Sequence, residues 1–354
     1  MKQAISLKSS RKVKKALALT SIAITALGFA HSASAEEALN LYNWGEYINP
    51  EVLTRFTEET GIKVKLDTYS SNEEMLAKLQ AGATGYDIVF PSVHMQDIMA
   101  KLKLLEKTNI NQYAGFKNID KNFLNAESDP NGEYCLPYAW GTVGILYNKK
   151  LVPNLNSWAD FFALPEKGKN IAMLDDMREV ISVGLITHGK NVNTTDRDDL
   201  KAAQDYIIKQ KGNVSAFTYD SIPMVQSGDI AAAQWYVGSM LYVFQNPDDL
   251  AYVIPKEGAT MYQEDMCVLK SAPNKANAKK FMEFFTQPDI AALNAKQQTN
   301  GTMNTEAVKL LPDYLRNNPS INPPAEVKAK LQLFKELGKG IKLYDRVWTK
   351  IRTS

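Results

Sequence analysis

The chain has 354 residues, more than one hydrophobic core usually serves, so two domains are expected. Its formal charge of +2 comes from the first 35 residues, which hold six basic and no acidic side chains; the other 319 carry 35 Lys and Arg against 39 Asp and Glu, a net charge of −4. That balance argues against a general nucleic-acid or anionic-membrane binder and suits a cationic ligand.

Lys2, Lys8, Arg11, Lys12, Lys14 and Lys15 precede the uncharged apolar run Ala16 to Ala30, which ends before "HSASA". This is the pattern of a secretory signal peptide cleaved after Ala35, and it predicts release outside the inner membrane, into the periplasm. No Cys follows the apolar run, so a lipobox anchor is not indicated, and no later stretch is apolar enough for a membrane span. Two Cys, Cys135 and Cys267, can pair once or stay buried and free, because spacing does not report proximity. Beyond the signal peptide the only His are His94 and His188, with no cluster at ligand spacing, so neither a metal nor a cofactor is expected.

The first elements alternate strand and helix. A strand ends near Tyr42, followed by the turn "NWGEY". A helix then starts with Asn49 as cap and Pro50 in its first turn, shows Val52, Leu53 and Phe56 on one face, and stops at Gly61. "IKVKLDTY" alternates as a strand with Ile62, Val64 and Leu66 on one side. Ser71 and Glu74 form a capping box ahead of Met75, Leu76 and Leu79. Tyr86 to Ser92 reads as a third strand, followed by a helix through Ile98, Leu102 and Leu105. A β-α-β-α-β start implies an α/β fold with a mostly parallel sheet, in which ligands sit beyond the carboxyl ends of strands. Trp44, Glu46, Tyr47 and Ser92 fall at such ends.

From about Gly141 the pattern restarts. Asn170 to Asp176 is a strand entering the helix "MREVISVGLITHG"; "VSAFTY" and "IAAAQWY" are further strands, and Asn274 to Asp289 is a long amphipathic helix. Two α/β lobes with no flexible linker imply crossing strands and a cleft, and "CLPYAWG" around Pro137 is the candidate first crossing.

No G-x-S-x-G, H-E-x-x-H, P-loop or G-x-G-x-x-G occurs, which argues against an enzyme, although a carboxylate pair alone can hydrolyse glycosides. What remains is a set of carboxylates and rings. Asp176 and Glu179 can share one face at a helix start, where acidic residues equally serve as caps. Trp44 with Glu46 reads as well as a core ring beside a surface acid. Trp235 and Tyr236, consecutive on a strand, face opposite sides, one to the core and one to the cleft. Asp265 reads by default as a surface turn residue.

"LYNWGEYINPEVLTRFTEETGIKV", "YDIVFPS", "LPYAWGTVGILYN", "SWADFFAL", "LDDMREV" and "VIPKEG" together, in this order and spacing, resemble the polyamine-binding periplasmic proteins of ABC importers, over nearly all 319 residues. The resemblance implies a two-lobed, type II periplasmic-binding-protein fold closing over an elongated polycation. Its lobes would comprise 36–141 with 264–308, and 142–263 with 309–354.

The family's ligand-binding positions fall on Trp44, Glu46, Tyr47, Ser92, Asp176 and Glu179. Its cleft Trp falls on Tyr236 with Trp235 turned away, a choice that a one-residue slip reverses. The carboxylate that holds a terminal ammonium falls on Asp265 if one extra residue is allowed before it. Departures from the pattern are His94 and Asn300 at expected aromatics, Gln263 with Tyr262 nearby at another, and Phe334 at a family Gln. Carboxylates supply charge-assisted hydrogen bonds to ammonium groups, and rings attract cations by about 0.5 to 2 kcal/mol each while packing on methylenes.

The expectation is therefore a monomeric, non-enzymatic binder of a putrescine- or spermidine-like polycation, without cofactor, that delivers it to the permease of an ABC importer. Alternatives are a polyamine-loaded sensor docking on a membrane receptor, a binder of a different amine, and a carboxylate-based hydrolase. An unperturbed His94 would add positive charge below about pH 6.5.

Overall fold

The computed structural model describes residues 38–354; the predicted signal peptide lies outside the described residues. The ten strands are β1 (Ala38–Trp44), β2 (Lys63–Tyr69), β3 (Ile88–Val89), β4 (Cys135–Asn148), β5 (Ile171–Met173), β6 (Val214–Phe217), β7 (Ala232–Tyr236), β8 (Leu250–Val253), β9 (Ala259–Val268) and β10 (Leu331–Leu333). They form one sheet in the order β2-β1-β3-β9-β4-β7-β5-β6, with β10 beside β9 and β8 beside β4. Parallel pairing holds β1 to β2 and β3 in one wing, and β5 to β6 and β7 in the other. The centre is antiparallel: β3 with β9, β9 with β4, and β4 with β7. β4 and β9 thus run between the wings.

Two hydrophobic cores follow from this arrangement. One gathers Leu39, Leu41, Phe56, Ile88, Phe281 and Phe285 around β1, β3 and their helices. The other gathers Ile171, Val180, Ile181, Leu185, Leu200 and Tyr344 around β5 and the helices Met177–Thr187, Arg197–Lys211 and Ile341–Thr353. Phe56 is fully buried, edge-on to Phe281 at 5.0 Å and Phe284 at 5.3 Å, so its truncation to Ala costs about 3 to 5 kcal/mol.

Capping chemistry sets the helix boundaries. Asn49 accepts from the Glu51 amide and Pro50 opens the helix Pro50–Thr60, which ends at Gly61 with φ of 74°, a left-handed conformation that costs glycine nothing. Ser71 caps Asn72–Gln80 by accepting from Glu74 N, and the Glu74 carboxylate reaches back to accept from Ser70 N at 2.9 Å.

Apolar pattern misleads in four places. Of Tyr86–Ser92 only Ile88–Val89 form a strand, and Ser92 adds an isolated antiparallel bridge to Glu264. Leu66 is 39% exposed although its alternation predicts burial, because β2 is an edge strand. The helix after Ser92 ends at Lys101, leaving Leu102 44% exposed and Leu105 beyond it. The helix expected to reach Asp289 stops at Phe285, and Pro288 begins a new one, Pro288–Gln298. Among the described residues, no helix is long and apolar enough to cross a membrane.

Candidate functional site

A cavity of about 1190 Å³ opens beyond the strand ends. Its first wall is the turn after β1. Trp44 closes the strand instead of lying in the turn; its indole Nε1 donates to Phe90 O at 2.8 Å, and its ring packs on Tyr69 at 4.7 Å. Glu46 has φ of 54°, a conformation that costs a non-glycine residue about 1 kcal/mol or more. The turn leaves the Glu46 side chain exposed at the cavity and half-buries Tyr47. Tyr138 Oη and the Gln298 side-chain amide both donate to the Tyr47 carbonyl, fixing the turn.

Glu264 forms the floor. It is buried on β9, with Tyr47 Oη donating to its Oε2 at 2.9 Å and Ser92 Oγ to its Oε1 at 3.3 Å. Burial pushes its carboxyl up to about 8. Ser92, itself buried, caps no amide of its helix; its hydroxyl also accepts from Asn72 Nδ2 at 3.0 Å. Asp265 takes no part in this lining. Its carboxylate accepts from Gln263 Nε2 at 2.8 Å, its amide donates to Pro91 O, and burial pushes it up to about 7. Alternation along a strand puts only one of two consecutive acids toward the cavity, and that one is Glu264.

The second anionic group stands at the start of the helix Met177–Thr187. Asp176 is its cap, accepting from Glu179 N at 2.9 Å, and also lines the cavity, so the capping and cleft readings are both met. Glu179 is buried and accepts from Thr260 Oγ1 at 2.6 Å; burial, then the neighbouring Asp176, push it up to about 8. Tyr219, 52% exposed, directs its hydroxyl to Asp176 Oδ2 at 3.4 Å. The intervening Arg178 sends its hydrogen bonds elsewhere, to Lys335 O, Val192 O and Asn193 Oδ1, and lies 4.2 Å over the Phe334 ring.

Rings complete the lining. Tyr236 and Tyr262 meet at 5.7 Å, and Tyr262 donates to Asn300 Oδ1 at 3.0 Å while Asn300 Nδ2 donates to Tyr47 Oη at 2.9 Å. Gly141 makes room for this: a Cβ there would lie 2.3 Å from Tyr262 Oη. Trp235 packs against Tyr219 at 6.4 Å and lies off the lining, whereas Tyr236 is on it. His94 and Phe334 meet edge to face at 6.3 Å. Burial first, then Arg178, hold His94 down at about 4, so the charged His94 considered from sequence does not form near pH 6.

Cys135 and Cys267 face each other across β4 and β9 and are bonded, with Cα atoms 4.5 Å apart. Among the described residues, no group of His, Cys, Asp and Glu could hold a metal ion. Sequence reasoning missed Glu264, Arg178 and Tyr219 as lining residues. Strand parity with Tyr262 could have found Glu264; Arg178 stood inside the quoted "LDDMREV"; Tyr219, in a loop, left no periodic signal.

The lining carries eight carboxylates against two basic side chains. Two parallel wings joined by antiparallel strands, with such a cavity at the strand ends, define a two-lobed type II solute-binding protein. The model of the family described as bacterial extracellular solute-binding protein matches residues 51–323, and the chain belongs to that family. It is 35% identical over 332 residues to the spermidine/putrescine-binding periplasmic protein of Salmonella typhimurium, covering 92% of this chain and 95% of that one. To the putrescine-binding periplasmic protein PotF of Escherichia coli K12 it is 31% identical over 354 residues, covering 94% and 95%. The crystal structure of the spermidine/putrescine transporter substrate-binding protein PotD of Streptococcus pneumoniae superposes with a TM-score of 0.82 at 32% identity, covering 89% of this chain and 98% of that one.

Proposed function

We propose that this protein is a periplasmic carrier that encloses a polyamine in the cavity and hands it to the permease of an ABC importer, with no chemical step. One observation carries the reading. Asp176, Glu179 and Glu264 line the cavity and receive hydrogen bonds only from hydroxyls and backbone amides, never from a cationic side chain. Glu179 and Glu264 are buried and Asp176 half-buried; carboxylates held this way with no hydrogen-bonded cation are costly, and their raised pKa values reflect that cost. An alkylammonium ligand supplies the missing charge, while Trp44, Tyr47, Tyr236 and Tyr262 cover its methylenes. Names of relatives that bind spermidine and putrescine support the same ligand class.

Closure would follow from tighter binding in the closed state. We place the lobes at 36–141 with 264–308 and at 142–263 with 309–354, with β4 and β9 as hinges; their passage from one parallel wing to the other supports this division. Titration calorimetry tests the function, using mature protein unfolded and refolded to remove carried ligand. Saturable micromolar or tighter binding of an aliphatic amine, with none of a control amino acid, is the expected result. A folded protein that binds no such amine would refute the reading.

A further inference from the structure

The cavity's charge and spacing also point to which amine it takes, an inference that rests on the polyamine reading. Thr260, Tyr262 and Glu264 alternate along β9 onto one face. Thr260 Oγ1 holds the Glu179 carboxylate at 2.6 Å, and the Glu264 carboxylate lies at the other end of that row. Thr260, which holds the first anchor, and Glu264, which carries the second, lie about 13 Å apart along the strand. A four-carbon diamine, with a charge-assisted hydrogen bond at each end, spans roughly 12 Å. Tyr262 stands between the anchors, where the methylenes would run.

Charge counting gives the same answer. Glu264 contributes one negative charge once an arriving ammonium displaces its proton. Asp176 and Glu179 contribute two more, and the single positive charge of Arg178, hydrogen-bonded to neither but acting on both, subtracts one. The net enclosed charge of −2 balances two ammonium groups. Beyond Glu179 and Glu264 the lining offers no further buried carboxylate for a third ammonium. Phe334 already carries the Arg178 guanidinium at 4.2 Å over its ring, and His94, edge-on to the same ring, is uncharged at neutral pH. Glu46, Glu73 and Asp345 are exposed, where solvent weakens any ion pair they could make. Glu336 and Asp175 already have partners, Lys101 and Arg352.

We propose that this cleft selects a dication, a linear diamine of four or five carbons, over triamines and tetraamines, with Arg178, Phe334 and His94 forming the wall that rejects a third ammonium.

Calorimetry of the refolded mature protein at pH 7.5 with putrescine, cadaverine, spermidine and spermine is the test. Putrescine or cadaverine should bind at least tenfold more tightly than spermidine. Phe334→Glu, which puts a carboxylate on the rejecting wall, should move the spermidine-to-putrescine ratio at least tenfold toward spermidine. His94→Glu is the second variant should the first not fold, and the same shift is expected. Spermidine binding as tightly as the diamines in the wild type, or an unmoved ratio in a folded variant, overturns the proposal while leaving the polyamine reading in place. Binding of no amine at all overturns both.

Discussion

The Tyr47 hydroxyl donates to Glu264 Oε2 at 2.9 Å, joining the turn after β1 to a strand 217 residues further along the chain. This bond and that of Ser92 aim the carboxylate at the cavity, whereas the adjacent Asp265 accepts from Gln263 and lies off the lining. Glu264→Gln should therefore weaken diamine binding by about 2 kcal/mol or more, the cost of leaving a buried ammonium unpaired. Asp265→Asn should change it less than about threefold. Calorimetry on both variants decides, and the reverse ranking would return the anchor to Asp265.

How far the sequence reveals this molecule depends on the range of the interactions involved. Asn49, Gly61 and Asp176 mark helix ends because capping is settled within a few residues, and each lies where its pattern puts it. Leu66 does not follow its pattern, since whether a strand lies at an edge depends on pairings made by distant segments. The same limit applies to Glu264 and Asp265: both are acids on one strand, and a one-residue slip exchanges their faces. Tyr219 sits in a loop, where no period exists to read. Phe334 and Arg178 are 156 residues apart, and only the fold stacks them.

Burial holds the Glu179 and Glu264 carboxyls up at about 8, far above the 4.5 of an ordinary Glu. Between pH 6.5 and 8 the unfolded chain has lost these protons while the folded one retains part of them. Fewer protons on the unfolded state mean that stability falls as pH rises. The melting temperature of the ligand-free protein should drop across this window, less steeply in Glu179→Gln and Glu264→Gln, and saturating putrescine should flatten the slope. Equal slopes in all three proteins would show that these carboxyls are already ionised.

The same carboxyls must give up protons when an ammonium arrives. Diamine affinity should then rise from pH 6.5 to 8, and calorimetry in buffers of different ionisation enthalpy should register proton release. His94 contributes nothing to this, being uncharged down to about pH 4. The ratio of affinities at pH 5.5 and 7.5 should stay within about twofold of wild type in His94→Ala; a larger change would restore His94 as a titrating partner of the ligand.

Cys135 and Cys267 lie 132 residues apart in sequence, opposite each other on the two strands that join the wings. Closing a loop of that length restricts the unfolded chain by about 5 kcal/mol in the entropic model, with measured effects of native bridges usually about 2 to 5 kcal/mol. Both residues are essentially inaccessible, Cys135 at 1% exposure and Cys267 at 0%. A mild reductant should therefore leave the bond intact in the folded protein and break it only in denaturant, as a thiol-reactive dye would record. Replacing both residues by Ser should lower the melting temperature markedly. Diamine affinity should hold within about threefold, because the β4–β9 ladder extends to Val143 and Thr260, and Tyr47 and Ser92 fix Glu264 independently of the sulfurs. A collapse of affinity in a variant that is still folded would instead mean that the bridge sets the register of β9, and with it the facing of Glu264.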